Sequence, residues 1–369
     1  MKQVKLFTAI ISTLTLICSL ACSEGNKIID LCDGEDEFLS IPEGADILFT
    51  ASIYGEDFYD PSEIYAIDID AQEIYRITCS NFSGTTCDYS RPHVSPDRKK
   101  MVVLRGCSDT NSDGIINFSD EKGIWIIDIE NETVSEIPGF NALNSPCWSV
   151  NNEIIFAANL AGKINTDIYK MDENGENIQN LTTTDNYFEN DPWWSQDGER
   201  IVFIKGEFIT PEGSPEGSFI TAKGDLWVMD SDGSNKTKVV SFDGDEDCPD
   251  YSDHYCLGLP ADPDFLPDGN SVVYEKLLST AENEGSGRWN IFSASLSGLN
   301  QNITNLTNDP TAYQAIPRAS EEGIIFHEVD TVKPFYGLVM INLDGSNRKN
   351  ILDNSDLTYY LGAASWLPQ

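Results

Sequence analysis

A twelve-residue segment from Asp109 to Asp120 carries oxygen-bearing groups at the spacing of a calcium-binding loop. Calcium takes about six to eight hard oxygen ligands, and such loops supply them from alternate positions around one ion. The ligand positions here hold Asp109, Asn111, Asp113, Ile115, Asn117 and Asp120, with Ile115 offering its backbone carbonyl. Gly114 allows the sharp turn at the sixth position. We predict one structural Ca²⁺ in this loop, with an empty acidic turn as the alternative interpretation.

The last position of the segment restricts the kind of calcium loop. Asp120 stands where glutamate is usual, which resembles dockerin-type calcium loops. No helical periodicity flanks the segment, so it resembles the loop of an EF-hand alone and not a pair of EF-hands. We expect its role to be structural, ordering a surface loop.

Nine cysteines indicate disulfide chemistry in an exported protein. Two pairs close short loops and give the simplest pairing: Cys79 with Cys87, and Cys248 with Cys256. Pairing of Cys107 with Cys147 is a weaker alternative, and the scheme leaves Cys32 over. The sequence has no Cys-x-x-Cys, which argues against zinc-ribbon or thioredoxin chemistry.

Local signatures of enzyme active sites are not found in the sequence. There is no Gly-x-Ser-x-Gly elbow, His-Glu-x-x-His, Walker loop or dinucleotide fingerprint. Ser195-Gln196-Asp197-Gly198 resembles a sialidase Asp box only superficially, because Gly198 follows Asp197 directly. Paired carboxylates need no local motif, so a glycosidase or polysaccharide lyase remains an alternative.

An internal repeat predicts the elements that position these groups. Short runs rich in Ile, Val, Tyr and Trp alternate with Asp-Gly or Asn-Gly pairs, which favour tight hairpin turns. One strand recurs six times, at Ile47–Ala51, Met101–Leu104, Ile154–Ala157, Ile201–Ile204, Val272–Glu275 and Ile324–His327. Four-stranded units repeated six times predict an all-β, six-bladed β-propeller over residues 46–369, because no blade buries both faces alone.

The repeat resembles that of the TolB-like, WD-type β-propeller family. The clearest copy holds Asp167-Ile168-Tyr169-Lys170-Met171-Asp172, then Asn180-Leu181-Thr182, then Pro192-Trp193-Trp194-Ser195-Gln196-Asp197-Gly198. Asp97-Arg98, Val150-Asn151-Asn152 and Glu321-Glu322-Gly323 depart from the Pro-Asp-Gly turn. The resemblance implies a ring closed by the C-terminal strand pairing with the N-terminal blade, and it specifies fold far more than function.

Antiparallel blades sort their connections onto two faces. The Asp-Gly turns share one face, which we call the tight-turn face, and the longer connections lie on the other, which we call the long-loop face. Five long connections predict that binding occurs on the long-loop face, unless they are insertions without a ligand: Cys79–Ser90, Arg105–Lys122, Gly206–Gly224, Phe242–Asp262 and Lys276–Arg288.

The inner strand of each blade faces the central channel of a propeller. His93, Asp264 and Arg318 occupy matching inner-strand positions, and Asp191 and Asp262 precede two such positions. We therefore take these five residues as candidates for a ligand site at the channel mouth, with structural roles as the alternative.

The N-terminus resembles a bacterial lipoprotein signal. Lys2 and Lys5 precede an apolar run to Ala21, and Ser19-Leu20-Ala21-Cys22 resembles a lipobox. We predict a signal peptide over residues 1–21, lipidation at Cys22 and an acidic flexible tether over residues 22–45. The resemblance implies export to the outer membrane, periplasm or cell surface, with a plain secretion signal as the alternative.

The charge balance restricts the partners. Acidic residues outnumber basic ones 61 to 23, for a formal charge of −38. Nucleic acid and anionic lipid are repelled, so the expected membrane contact is through the lipid anchor only. We expect a monomeric, non-catalytic scaffold that binds a protein or cell-envelope partner through the long-loop face. A carbohydrate-active propeller using acids at the channel mouth is the alternative.

Overall fold

The computed structural model shows a ring of β-sheets. It describes residues 26–30, 32, 38–52, 61–79, 86–112, 116, 121–160, 165–185, 187–209, 220–241, 260–279, 288–330, 332, 335–353 and 359–368. Every regular element in these ranges is a β-strand, and none of their segments forms a helix with the length and hydrophobicity that crossing a bilayer requires.

The strands form six sheets, each with a core of four antiparallel strands. Numbered along the chain after an N-terminal strand β1 (Lys27–Ile29), blade 1 holds β2 (Ile47–Ser52), β3 (Glu63–Asp68) and β4 (Glu73–Arg76). Blade 2 holds β5 (Asp88–Val94), β6 (Lys100–Gly106), β7 (Gly123–Asp128) and β8 (Thr133–Ile137). Blade 3 holds β9 (Phe140–Trp148), β10 (Glu153–Leu160), β11 (Asp167–Asp172) and β12 (Gln179–Asn180).

The second half of the chain repeats the arrangement. Blade 4 holds β13 (Tyr187–Trp194), β14 (Arg200–Ile209), β15 (Ile220–Asp230) and β16 (Thr237–Val240). Blade 5 holds β17 (Pro260–Phe265), β18 (Ser271–Ser279), β19 (Arg288–Ser295) and β20 (Gln301–Asn305). Blade 6 holds β21 (Tyr313–Ser320), β22 (Gly323–Asp330), β23 (Phe335–Ile341) and β24 (Lys349–Leu352), and β25 (Tyr359–Trp366) returns to blade 1.

Ring closure follows the predicted route. β25 pairs antiparallel with β2, with Trp366 opposite Ile47 and Ala364 opposite Phe49. An apolar cluster joins the same blade to blade 6, where Phe49 packs with Ile325 and Leu338. The six-bladed, C-terminally closed propeller predicted from the sequence is therefore confirmed, and closure removes the open edge that an inner strand would otherwise expose.

The glycines of the Asp-Gly turns are required by both conformation and space. Gly233 and Gly345 adopt φ values of 82° and 86°, a left-handed region that side chains with a Cβ disfavour. A Cβ at Gly233 would lie 2.8 Å from the carbonyl oxygen of Leu181 in blade 3, and one at Gly345 would lie 2.5 Å from that of Leu306 in blade 5. These turns therefore also set the spacing between neighbouring blades.

The described part of residues 22–45 packs against the propeller and is not a free tether. β1 adds to the outer edge of blade 1, pairing in parallel with β4 so that Lys27 lies opposite Glu73. Phe38 and Ala45 are buried in the core that blades 1 and 2 share. These contacts hold the described part of the segment against the propeller, because it carries apolar side chains that the blade edge covers.

The predicted bond between Cys79 and Cys87 is wrong. Cys79 and Cys87 are both oxidised, but Cys79 pairs with Cys32 and Cys87 pairs with Cys107. Cys147 is a buried free thiol, so the alternative Cys107–Cys147 bond is excluded as well. The physical reason is the docking of β1, which brings Cys32 beside the end of blade 1. Cys248 and Cys256 lie outside the described residues.

Candidate functional site

The first strands of successive blades contact one another in a ring around the central channel: β5, β9, β13, β17, β21 and β25. Five of these strands break their register at a residue that precedes proline. That residue adopts a positive φ in each case: Arg91, Ser145, Asp191, Asp262 and Ile316. Proline donates no ladder hydrogen bond, and a bulge re-aims the side chain beside it. The repeated bulge thus directs four polar residues, all of the five except Ile316, towards the channel.

Two of these bulge residues meet from opposite sides of the ring. Arg91 Nη1 of blade 2 lies 2.6 Å from Asp262 Oδ1 of blade 5. Arg318 of blade 6 approaches the same oxygen through Nη2 at 3.4 Å, and its side chain is only 3% exposed. An ionic cluster therefore links three blades across the channel.

Further buried acids surround this cluster. Burial raises the pKa of Asp191 to about 7, and the nearby charge of Asp262 adds to the rise. Burial and the same carboxylate raise the pKa of Glu275 well above its usual range. Burial would also raise the pKa of Asp262, but Arg91 and Arg318 outweigh it and hold the pKa below its ordinary value. The negative charge of the cluster is therefore concentrated on Asp262.

An open pocket of about 460 Å³ lies over the channel on the tight-turn face, and we call it the axial pocket. All six blades contribute to its lining, through the ends of the inner strands and the turns that follow them. The volume falls within the range of about 300–1,000 Å³ that is typical of ligand sites. Its lining includes Trp193, Trp194 and Trp366 together with His93, Asp264 and Arg318.

The charged residues of the axial pocket are held by the protein itself. Arg318 Nη1 donates to the carbonyl oxygens of Pro317 and Asp262, at 2.7 and 3.1 Å. The guanidinium carbon lies 3.9 Å from the centre of the Trp193 ring, close enough for a cation–π contact. The positive charge of Arg318 is therefore fixed in place and already compensated.

Asp264 is held in a comparable way from the other side. Its two carboxylate oxygens accept hydrogen bonds from the backbone N–H groups of Phe265 and Ala319, at 2.6 and 2.8 Å. Burial nevertheless raises the pKa of Asp264 to about 7, although Arg318 opposes the rise. Near neutral pH this carboxyl group thus exchanges its proton while its position stays fixed.

The two histidines near the channel are neutral. His93 Nδ1 accepts a hydrogen bond of 3.1 Å from the backbone N–H of Trp148, and its ring packs edge-on against Trp193. Burial and the positive charge of Arg318 lower the pKa of His93 to about 4. Burial and Arg91 lower the pKa of His327 to about 3. Neither imidazole therefore carries charge near neutral pH.

The structure brings the five predicted channel residues into two layers. His93, Asp264 and Arg318 line the axial pocket, whereas Asp191 and Asp262 lie in the ionic cluster beneath it. The sequence analysis missed three members of the cluster: Arg91, Glu275 and His327. Arg91 could have been predicted from the sequence, because it precedes a proline as Asp191 and Asp262 do.

Most of the predicted calcium loop lies outside the described residues. Asp113, Ile115, Asn117 and Asp120 are not described, whereas Asp109 and Asn111 are. Thr110 Oγ1 accepts a hydrogen bond of 2.8 Å from the backbone N–H of Glu121, which draws the two ends of the segment together. In the described ranges, no three His, Cys, Asp or Glu side chains are grouped to hold a metal. Cys22 also lies outside these ranges.

The fold and the site define a six-bladed β-propeller whose channel is crossed by an ionic cluster beneath an open pocket. TolB from Acinetobacter baumannii superposes with a TM-score of 0.58 at 17% identity, covering 89% of this chain and 68% of that chain. A chain of Kuenenia stuttgartiensis hydrazine synthase gives a TM-score of 0.59 at 14% identity, covering 88% of this chain and 47% of that one.

A chain of a nidogen–laminin complex is a third structural neighbour, with a TM-score of 0.54 at 10% identity, covering 88% of this chain and all of that one. No family model and no curated protein sequence matches this chain. At these identities the neighbours establish the TolB-like propeller fold and leave the function to be argued from the site.

Proposed function

We propose that the protein is a non-catalytic scaffold of the cell envelope that binds a protein partner at the axial pocket. One observation carries the proposal: the charged groups at the base of the pocket are held by the propeller's own hydrogen bonds. Arg318 and Asp264 both have their polar atoms engaged internally. Such an arrangement stabilises a rigid surface, and rigid surfaces suit recognition because little order is lost on binding.

The proposed site lies on the tight-turn face, opposite the long-loop face that the sequence favoured. The central parts of the long connections are outside the described residues, and the axial pocket lies wholly among the described ones. Its rim includes Val150, an apolar side chain that is 55% exposed. Val150 therefore adds apolar surface at the edge of the tryptophan-lined pocket.

The compartment follows from the disulfides and the N-terminus. The bonds from Cys32 to Cys79 and from Cys87 to Cys107 are typical of proteins that fold in an oxidising environment outside the cytoplasm. Lipidation of Cys22 would attach the chain to a membrane just ahead of the docked strand β1. We propose this anchor on the sequence alone, and palmitate labelling lost in a Cys22→Ala variant would test it.

Site-specific photocrosslinking tests the binding site. A benzophenone amino acid replaces exposed Gln196 at the pocket rim, and a matched control replaces exposed Glu136 in the outer strand of blade 2. We expect a discrete adduct in cells from position 196 and none from position 136. Equal labelling at both positions, or none at position 196, would contradict the proposal.

The calcium loop has a supporting role in this proposal. The hydrogen bond from Glu121 to Thr110 already closes the ends of the segment, so an ion would organise only the residues between them. Calcium there would order the long-loop face, and not the axial pocket on the other side. We therefore expect crosslinking at position 196 to be unaffected by a calcium chelator.

A specific observation keeps the carbohydrate-active alternative in consideration. Asp264 lines an aromatic pocket and has a pKa of about 7, as a general acid would need. Against this, both its carboxylate oxygens already accept backbone hydrogen bonds. Release of reducing ends or of unsaturated products from a polysaccharide panel, lost in Asp264→Asn, would favour the enzyme.

A further inference from the structure

The turns around the axial pocket carry an excess of negative charge. In blades 2, 4, 5 and 6 the turn after the first strand has at least one exposed acidic residue, and in blade 1 the turn that leads into β2 has one as well. These residues, which we call the acidic rim, are Glu43, Asp97, Asp197, Glu199, Asp268, Glu321 and Glu322. Blade 3 is the exception and presents Val150, Asn151 and Asn152 instead.

Part of the acidic rim has a local structural role. Asp97 accepts hydrogen bonds from the Ser95 hydroxyl and the Lys99 backbone, and these bonds lower its pKa. Asp197 repeats this arrangement with Ser195 and Glu199, and its pKa is also lowered. These aspartates hold their turns together, yet they stay ionised and their charge faces solvent.

Glu321 and Glu322 have no such role. Both are exposed and both line the axial pocket, and no ion pair with another described residue engages either carboxylate. The hydrogen bond that supports their turn runs from the backbone N–H of Glu322 to the Ser320 hydroxyl and does not use the carboxylates. Two adjacent acidic side chains are thus available to a partner at the pocket edge.

The basic residues beside the rim are already engaged. Arg98 donates to the carbonyl oxygen of Pro368 through Nε and Nη2, at 3.0 and 2.6 Å. Lys99 pairs with Glu130 at 2.9 Å, and Arg200 donates to the carbonyl oxygen of Gly269. Arg98 and Arg200 are therefore turned onto the propeller and Lys99 is paired, so the acidic rim carries the excess charge at the pocket edge.

We propose that the axial pocket docks a lysine- or arginine-rich polypeptide segment, whose cationic side chains pair with the acidic rim while an apolar side chain covers the tryptophans. The inference rests on the proposed function and adds the chemistry of the partner. The occupant follows from charge complementarity, because the pocket is aromatic at its base and acidic at its edge. An acidic or neutral segment would leave the rim charges desolvated without compensation.

The test uses the purified full chain and three capped, fluorescent peptides of equal length. One has leucine flanked by lysines, one has leucine flanked by glutamates, and one has serine flanked by lysines. We compare the wild type with Glu321→Gln/Glu322→Gln and with Glu132→Gln/Glu136→Gln, a matched pair of exposed acids on the outer part of blade 2. Fluorescence anisotropy measures affinity at low and at high salt, and thermal melts confirm that all three proteins are folded.

We expect the lysine–leucine peptide to bind best, and to weaken about three- to tenfold in Glu321→Gln/Glu322→Gln, as two exposed ion pairs would predict. The outer-blade variant should bind as the wild type does. Equal weakening in both variants, binding of the glutamate peptide, or equal affinity for the lysine–serine peptide would overturn the inference. If the pocket-edge variant keeps its full adduct at position 196, the cationic partner is wrong but the binding site stands. If the wild type forms no adduct at position 196, the proposed function itself is refuted.

Discussion

Arg98 takes the place of glycine in the inner turn of blade 2 and joins Pro368, near the C-terminus, to the segment that leads into β2. It adopts a φ of 59°, which glycine accepts more readily than arginine does. Its guanidinium donates twice to the carbonyl oxygen of Pro368, at 3.0 and 2.6 Å, and once each to those of Glu43 and Pro42, at 3.1 and 3.4 Å. The departure from the Pro-Asp-Gly pattern thus exchanges a relaxed turn for a clamp on ring closure.

Two opposing free energies set the size of the effect. Hydrogen bonds from a charged donor contribute roughly 1.5–3 kcal/mol each when buried, and partial exposure with shared geometry reduces the whole clamp to about 2–3 kcal/mol. Relief of the left-handed conformation returns about 1 kcal/mol when glycine replaces a side chain. We therefore expect Arg98→Gly to lower the free energy of unfolding by about 1–2 kcal/mol, and Arg98→Ala to lower it by about 2–3 kcal/mol.

The chain supplies a matched control for this prediction. Asn152 occupies the same turn position in blade 3, with the same φ of 59°. Its side chain does not bond to Pro368 or to residues 42–43 as Arg98 does. Asn152→Gly should therefore leave stability unchanged or raise it slightly, because only the conformational contribution remains. Urea denaturation measures the free energies, and hydrogen exchange in β25 reports whether the closing strand opens. If Arg98→Gly is as stable as Asn152→Gly, the clamp has no energetic role and the reasoning fails.

Three further predictions address the site, the disulfides and the calcium loop. Because the pKa of Asp264 is raised to about 7 in the folded state, the free energy of unfolding of the wild type should fall as pH rises from about 4 to 7. Asp264→Asn should abolish this contribution. If urea titrations show the same pH slope for both proteins, the prediction is refuted. Replacing Cys32 and Cys79 by alanine removes a cross-link spanning 47 residues and should lower the free energy of unfolding by about 4 kcal/mol in urea denaturation. A decrease below about 1 kcal/mol would show that the docking of β1 needs no cross-link. Calorimetry should show one Ca²⁺ bound per chain, and the ion should raise the melting temperature. Asp109→Asn should remove both effects. Calcium binding that survives this substitution would place the ion elsewhere.

The number of blades could be predicted from the sequence because each blade repeats the same turn and strand residues. Asp-Gly turns punctuate short apolar strands, and the strand predicted at Ile201–Ile204 lies inside β14. The predicted strand at Val272–Glu275 likewise lies inside β18. Local turn and strand preferences agree with the global fold here, so a repeat alone predicts the architecture.

The disulfides were not readable because their partners meet through long-range packing. Cys79 and Cys87 are close in sequence, which favoured a short loop. In the structure β1 pairs in parallel with β4, with Ile29 opposite Tyr75, so that Cys32 reaches Cys79. A strand of three residues shows too little periodicity for this pairing to be predicted from the sequence.

The deeper layer of the site was missed for a different reason. Glu275 and His327 lie in the second strands of blades 5 and 6, each opposite the residue that comes just before the bulge of the first strand. The same position holds Leu104 in blade 2 and Ile204 in blade 4, as a core strand would predict. Only the convergence of several blades shows that the two polar residues belong to the channel.

The ionic cluster also bears on whether the channel serves as a passage or as a support. The contact between Arg91 and Asp262 joins opposite blades, and Arg318 links it to the pocket floor. Breaking one partner of a buried ion pair strands the other charge, at a cost of roughly 3–5 kcal/mol. A partner that docks in the axial pocket above this contact would leave the ion pair intact. An ionic cluster beneath an acidic, tryptophan-lined pocket is therefore consistent with the proposal that a partner is held on the tight-turn face.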